Sequence, residues 1–273
     1  MNTVVSQSEC DALMALYDAT DGPNWVNNAG WGTATDPCTW FGVACDGNGV
    51  SGLDLRYNRL GGSLPPEIGD LTNLTSLVVV SDWRNDPVAD MLSGDLPAEI
   101  GNLTSLTTLN LSSNQLTGPI PSEWGNLSQL QVLDLGRNLL DGSLPTELGG
   151  LTNLTTLRLE ENGFTGAIPA ELGNATSLQT LDLSINNLSG TIPAELGNLT
   201  SLTNLNVEEN SLSGDVTPVA SAIMANEGVA ERISVRLGDY PGGGNGCFTA
   251  DASVASWLDS VDSGWNEDCT VAP

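Results

Sequence analysis

The 273-residue sequence predicts an α/β solenoid of about seven 24-residue repeats. It should have a parallel concave β-sheet, short helical or 3-10 turns on the convex side, and helical caps at both ends. Three observations predict it. Asn114, Asn138, Asn162, Asn186 and Asn210 recur every 24 residues, each inside the same leucine frame. Each LxL triplet, such as Leu133-Asp134-Leu135, alternates with the period of a strand. The segments on either side carry helix-capping and cysteine patterns that the repeats lack.

The front cap spans residues 1–50. Ser6-Gln7-Ser8-Glu9 is a capping box leading into a helix that buries Leu13, Leu16 and Tyr17. Trp25, Trp31 and the run Asp36-Pro37-Cys38-Thr39-Trp40-Phe41-Gly42-Val43-Ala44-Cys45 follow. The repeats occupy residues 51–217. Their leucines bury only against neighbouring coils, and the Asn turns inward to satisfy backbone groups there. Gly frees the following turn, and Pro stops a long helix on the return path. The second copy breaks the frame with eight extra residues between Leu77 and Leu92. This insertion, at about 81–91, should project from the rim of the concave face, and it carries Trp83 and Arg84. Residues 218–273 should add a last strand, alternating over Ile233–Leu237, and a back cap. In that cap Cys247 should begin a short helix running through Trp257 and Leu258.

The frame LxxLxLxxNxLxGxIPxxLGxL is that of a leucine-rich repeat. Gly118-Pro119-Ile120-Pro121 and Gly190-Thr191-Ile192-Pro193 resemble the plant-type subclass, which includes receptor-kinase ectodomains and polygalacturonase-inhibiting proteins. The cysteine run resembles the plant-type N-terminal cap, which implies a Cys38–Cys45 disulfide, and residues 12–25 look like caps of secreted bacterial and protist proteins of this type. A Cys247–Cys269 bridge would staple the back cap. Cys10 is left over, either a buried free thiol on the cap helix or a link to another chain or a missing segment. Two local disulfides imply an oxidising compartment, so the expected location is extracellular, secreted or at the cell surface. Residues 1–8 lack the basic and apolar regions of a secretory signal, so Met1 reads as an initiator before a mature or excised segment. Eight glycosylation sequons arise chiefly because the repeat itself spells Asn-Leu-Thr.

Charge narrows the function. Seven Arg, no Lys and no His face 34 acids, for a net charge of −27. Such a surface repels phosphate backbones and anionic lipid, so no nucleic-acid partner and no direct membrane insertion are expected. The missing His and Lys remove the Ser-His-Asp triad, the Cys-His pair, Schiff-base lysines and the P-loop, so no enzyme activity, no catalytic residues and no metal site are expected. No cofactor is expected either; the acid pairs Glu160/Glu161 and Glu208/Glu209 leave calcium as the one candidate.

The outward strand positions vary where the scaffold does not. Arg56, Tyr57, Asp134, Arg137, Arg158, Glu160, Asp182 and Glu208 are the candidate ligand-binding residues of the concave face, with Trp83 and Arg84 on the rim loop. The expected function is an extracellular recognition module, monomeric, that engages a protein or glycan ligand through that face and loop. Alternatives are an inhibitor of a secreted cell-wall hydrolase, a structural adhesin segment, or an ice-binding protein. The last would use the column Thr72, Thr104, Ser128, Thr152, Thr176, Thr200 and its Gln-interrupted companion Thr75, Thr107, Gln131, Thr155, Gln179, Thr203.

Overall fold

A computed structural model describes residues 5–225, 234–236, 248–250, 255 and 258. The chain divides into two compact units, Met1–Leu140 and Asp141–Pro273.

The first unit begins with helix α1, Gln7–Ala19, whose capping box forms as the sequence predicts: the Ser6 hydroxyl accepts from Glu9 N–H, and Ser6 N–H donates to the Glu9 carboxylate at 2.8 Å. Glu9 is only 4% exposed because its other oxygen accepts from Val50 N–H at 2.9 Å. One carboxylate thus ties α1 to the antiparallel hairpin of Val43–Asp46 and Gly49–Asp54. Leu13 and Leu16 are fully buried. Beside them Tyr17 stacks on Trp31 with ring centroids 6.0 Å apart, and Trp31 packs against Trp25 and Trp40. Buried indoles need a partner for N–H; Trp25 donates to Thr20 O and Trp31 to Phe41 O, both at 2.8 Å. The Cys38–Cys45 disulfide is formed.

Beyond the hairpin, the main sheet of the first unit adds Ser76–Val78, Thr108–Asn110 and Val132–Asp134, all parallel, with Leu53, Leu77, Leu109 and Leu133 in register. The second unit repeats the pattern with Thr156–Arg158, Thr180–Asp182, Asn204–Asn206 and Ser234–Arg236. Identical leucines stack inward, and those seven central strand leucines, through Leu157, Leu181 and Leu205, are at most 1% exposed. The return path forms 3-10 turns after each Pro: Pro66–Asp70, Ala98–Asn102 and Ser122–Asn126 in the first unit, Thr146–Gly150, Ala170–Asn174 and Ala194–Asn198 in the second. Each has a Glu in its first turn, where a carboxylate suits the free N–H groups.

The inward Asn residues behave as predicted. The Asn138 amide donates to Leu111 O of the preceding coil and Leu135 O of its own, and its oxygen accepts from Leu116 N–H. Asn186 and Asn210 repeat this within the second unit. Asn58, with no repeat before it, instead exchanges two hydrogen bonds with the Asn27 backbone of the cap.

Two features depart from expectation. Two further parallel sheets form after the main strands: Ser93–Asp95, Gln115–Gly118 and Leu139–Leu140 in the first unit, and Thr165–Gly166, Asn187–Thr191, Ser211–Asp215 and Phe248–Thr249 in the second. Phe248 and Thr249 continue the latter sheet beside Gly214 and Asp215, so the expected cap helix begins later than Cys247; Ala255 and Leu258 are helical, and Leu258 is fully buried. A further helix, α2, Thr217–Ala225, follows the last repeat, where an apolar run replaces the short turn. Ser234–Arg236 is the expected last strand. The expected Cys247–Cys269 bridge and Trp257 lie outside the described residues.

Candidate functional site

The site residues sit on two backbone devices. At the first outward position of a strand, Asp or Asn turns a side-chain oxygen onto the N–H two residues on: Asn110 to Ser112 at 3.0 Å, Asp134 to Gly136 at 3.2 Å, Asp182 to Ser184 at 3.1 Å. Asp134 and Asp182, predicted as ligand contacts, thus shape the strand ends with one oxygen each. Ser184 is consequently buried, its hydroxyl on Asp182.

Directly before the ladder Asn, the chain turns left-handed. Tyr57, Ser113, Arg137, Glu161, Ile185 and Glu209 all have φ between +52° and +60°. Non-Gly residues rarely adopt this conformation, so six coils, all but the one with the insertion, each hold one rim side chain on a strained backbone. Arg137 and Tyr57 are among them, and Tyr57 is 61% exposed.

The insertion does lie beside this rim. Ser81 is buried and donates to Asn114 Oδ1 at 2.8 Å, so the loop starts from the Asn ladder itself. Asp82 then organises a tight turn, accepting from Arg84 N–H and from Asn85 Nδ2 at 2.7 Å. The Asn85 bond holds the Asp82 carboxyl below the usual aspartate range. Asp86 accepts from Asp82 N–H at 2.9 Å and from Arg59 Nε at 3.1 Å, which pins the loop to the first repeat. Trp83 is left 50% exposed, with the Arg84 guanidinium 5.0 Å and the Arg137 guanidinium 5.2 Å from its ring centroid. The structure therefore brings together Trp83 and Arg84, predicted on the rim loop, and Arg137, predicted on the concave face. Arg59 and Asp86 were not singled out; their link across the insertion leaves no local pattern in sequence.

Arg56 is committed to its neighbour. Its Nε and Nη2 grip Asp54 at 2.9 and 2.5 Å, and this side-chain bond, opposed by partial burial, lowers the Asp54 carboxyl below its ordinary range. In the second unit Arg158 is exposed and aligned with Asp182 on the adjacent strand, while Glu160 and Glu208 are half-buried. Among the described residues, no group of three or more His, Cys, Asp or Glu is placed to hold a metal ion. Cys10 is a half-buried free thiol on α1; burial and then Asp11, Glu9 and Asp36 push its pKa up, opposite to what a nucleophile needs. No helix among the described residues is long and apolar enough to cross a membrane.

Comparison with known proteins agrees with this architecture. Residues 6–46 match the leucine-rich repeat N-terminal domain, 50–71 a leucine-rich repeat, and 115–221 a leucine-rich repeat region. Leucine-rich repeat protein 1 of Arabidopsis thaliana is 40% identical over 78 residues, 28% of this chain and 36% of that protein. The chain thus spans little more than a third of that relative. Many solved structures are similar, among them the following three. The ectodomain of the Arabidopsis thaliana receptor kinase GASSHO1/SCHENGEN3, in complex with Casparian strip integrity factor 2, is 33% identical with a TM-score of 0.73, over 89% of this chain and 27% of that one. The Arabidopsis HAESA ectodomain, bound to an IDA peptide hormone ligand, is 29% identical with a TM-score of 0.64, over 90% and 42%. A plant ice-binding protein is 26% identical with a TM-score of 0.63, over 90% and 96%. Repeat frame, Asn ladder, disulfide-closed cap and these matches converge: the chain belongs to the leucine-rich repeat proteins, with the plant-type repeat and its N-terminal cap.

Proposed function

We propose that the chain is an extracellular recognition module that binds a peptide or protein segment across the main-sheet face of its first unit, with the 81–91 loop as one wall. One observation carries this reading: the half-exposed Trp83 is held beside Arg137 on a platform fixed by strand pairing and the Asn ladder. Aromatic and Arg side chains on rigid backbone are the usual anchors of protein interfaces, because little conformational entropy is lost on binding. The HAESA structure supports a peptide rather than a glycan, and the Cys38–Cys45 disulfide supports an oxidising compartment. The module works by binding alone. A display screen of extended peptides, run beside a glycan array, tests this. The best peptide should bind Trp83→Ala at least tenfold more weakly than the native chain. Unchanged affinity, or capture of glycans alone, would sink the reading.

Ice binding is the second reading, favoured by the match that spans nearly all of the plant ice-binding protein. The expected columns are present and exposed: Thr72, Thr104 and Ser128 in the first unit, Thr152, Thr176 and Thr200 in the second. Against it, Thr75, Thr107 and Thr203 of the companion column spend their hydroxyl protons on carbonyls of the preceding coil. Measurable thermal hysteresis, lost in Thr104→Lys, would favour this second reading over the first.

A further inference from the structure

The front cap of the first unit holds a space that the recognition face does not use. On α1, Gln7, Cys10, Asp11 and Met14 stand at i, i+3, i+4 and i+7, which places them along one side of the helix. Leu13 and Leu16 form the buried side. Facing the first side is the stretch 33–37 with Trp40, and between them, with Val5 also in the wall, lies a cavity of about 390 Å³. Small-ligand sites span about 300–1,000 Å³. The wall is braced from behind. The Thr33 hydroxyl donates to Gly30 O, the Thr33 and Thr35 hydroxyls are bonded at 2.7 Å, and the Trp40 indole donates to Thr35 Oγ1 at 3.1 Å. Pro37 leads directly into Cys38 and its disulfide to Cys45. With its N–H spent, Trp40 offers the cavity only ring.

The charge of this wall has one sign. Asp11 Oδ1 accepts from Gln7 Nε2 at 2.8 Å and Asp36 Oδ1 from Cys38 N–H at 3.0 Å, both uncharged donors. Among the described residues neither carboxylate is in an ion pair. Residues 1–50 hold six acids and no Arg or Lys, so the cap has no basic side chain of its own to offer them. The one positive element at hand, the N-terminus of α1, is already matched to Glu9 through the capping box. The Cys10 thiol feels the result, since burial and then Asp11, Glu9 and Asp36 raise its pKa. The rest of the lining, Val5, Met14, Pro37 and Trp40, is apolar. An anion is repelled from such a cavity, and a hydrated inorganic cation gains nothing from its indole and thioether. A cation on an apolar body gains twice: its charge meets the exposed carboxylates, and its body displaces water from the wall.

We propose that this cap cavity binds a small organic ammonium, a protonated amine carried on an apolar body of about one ring. The site shares no residue with the peptide-binding face and stands independently of it. The test titrates the full chain at neutral pH with phenethylammonium, its neutral isostere 2-phenylethanol and the anion 3-phenylpropanoate. Binding is followed by NMR at the Trp40 indole N–H, assigned through Trp40→Phe. Phenethylammonium should bind roughly tenfold or more tightly than 2-phenylethanol, and 3-phenylpropanoate more weakly than either. In the Asp11→Asn/Asp36→Asn variant the amine should fall to the level of the alcohol, while the alcohol binds as before. Asn caps a turn as well as Asp, so Asp36→Asn alone keeps the Cys38 N–H bonded and the test readable if the double variant folds poorly. Equal affinity for the amine and the alcohol overturns the site. So does an amine affinity that the Asn variants leave unmoved, or an amine that never shifts the Trp40 signal.

Discussion

Glu9 shows how much one side chain can carry. Burial alone would raise its pKa, but the Ser6 and Val50 N–H groups, the Ser6 hydroxyl and Asn73 together hold it below the ordinary 4.5. The unfolded chain therefore takes up this proton first as pH falls. The stabilisation is complete above about pH 4.5 and is lost progressively below it. Glu9→Gln should cost about 1–3 kcal/mol at neutral pH, and the gap between variant and native should close in acid, as urea unfolding at both pH values would show. The ladder amides are comparable: Asn138→Ala strands Leu116 N–H and removes one of the two amide donors from Leu111 O, and should cost about 1–3 kcal/mol. Ile185 is the opposite case. It is β-branched, 39% exposed and held at φ +53°. Asn tolerates that conformation, so Ile185→Asn should raise stability by about 1 kcal/mol in a denaturant titration.

At the level of elements, the 3-10 turns stack through glycine. A Cβ on Gly69 or Gly101 would run into the backbone carbonyl of Glu99 or Glu123 in the next coil of the first unit, and Gly149 and Gly173 are placed the same way against Glu171 and Glu195 in the second. Gly101→Ala should therefore destabilise by about 1–3 kcal/mol although Ala favours helix; a stabilised variant would show that the turns shift apart easily. The insertion behaves differently, since its turn closes on itself through Asp82 and Asn85 and reaches the repeats by the Arg59–Asp86 pair. Arg59 is substantially exposed and Asp86 keeps its bond from Asp82 N–H, so Arg59→Ala should cost under about 1 kcal/mol of stability. It should nevertheless weaken peptide binding, because it releases the loop that presents Trp83. Loss of binding without loss of melting temperature is the signature to look for.

Across the whole molecule, seven arginines cannot neutralise 34 acids. Self-repulsion of the folded state should be relieved by salt, so the melting temperature should rise between about 10 mM and about 150 mM ionic strength, where the screening length shortens from roughly 30 to 8 Å. A fall would mean that local ion pairs outweigh the net charge. The sequence by itself determined the repeat length, the inward leucines and Asn, and the capping box, while the front disulfide was implied by the resemblance to plant-type caps. All of these rest on contacts between near neighbours or between equivalent positions of adjacent coils, so a short stretch of sequence spells each of them, and the repeat features are spelled again in each coil. Tertiary structure decided what lies outside that period. The left-handed rim is written by backbone geometry rather than residue type, since Tyr, Ser, Arg, Glu and Ile all occupy it. The two further sheets need pairs of strands too short to show alternation. The meeting of Trp83 with Arg137 depends on where an aperiodic loop folds back onto a periodic surface, a contact between distant residues that no local pattern encodes.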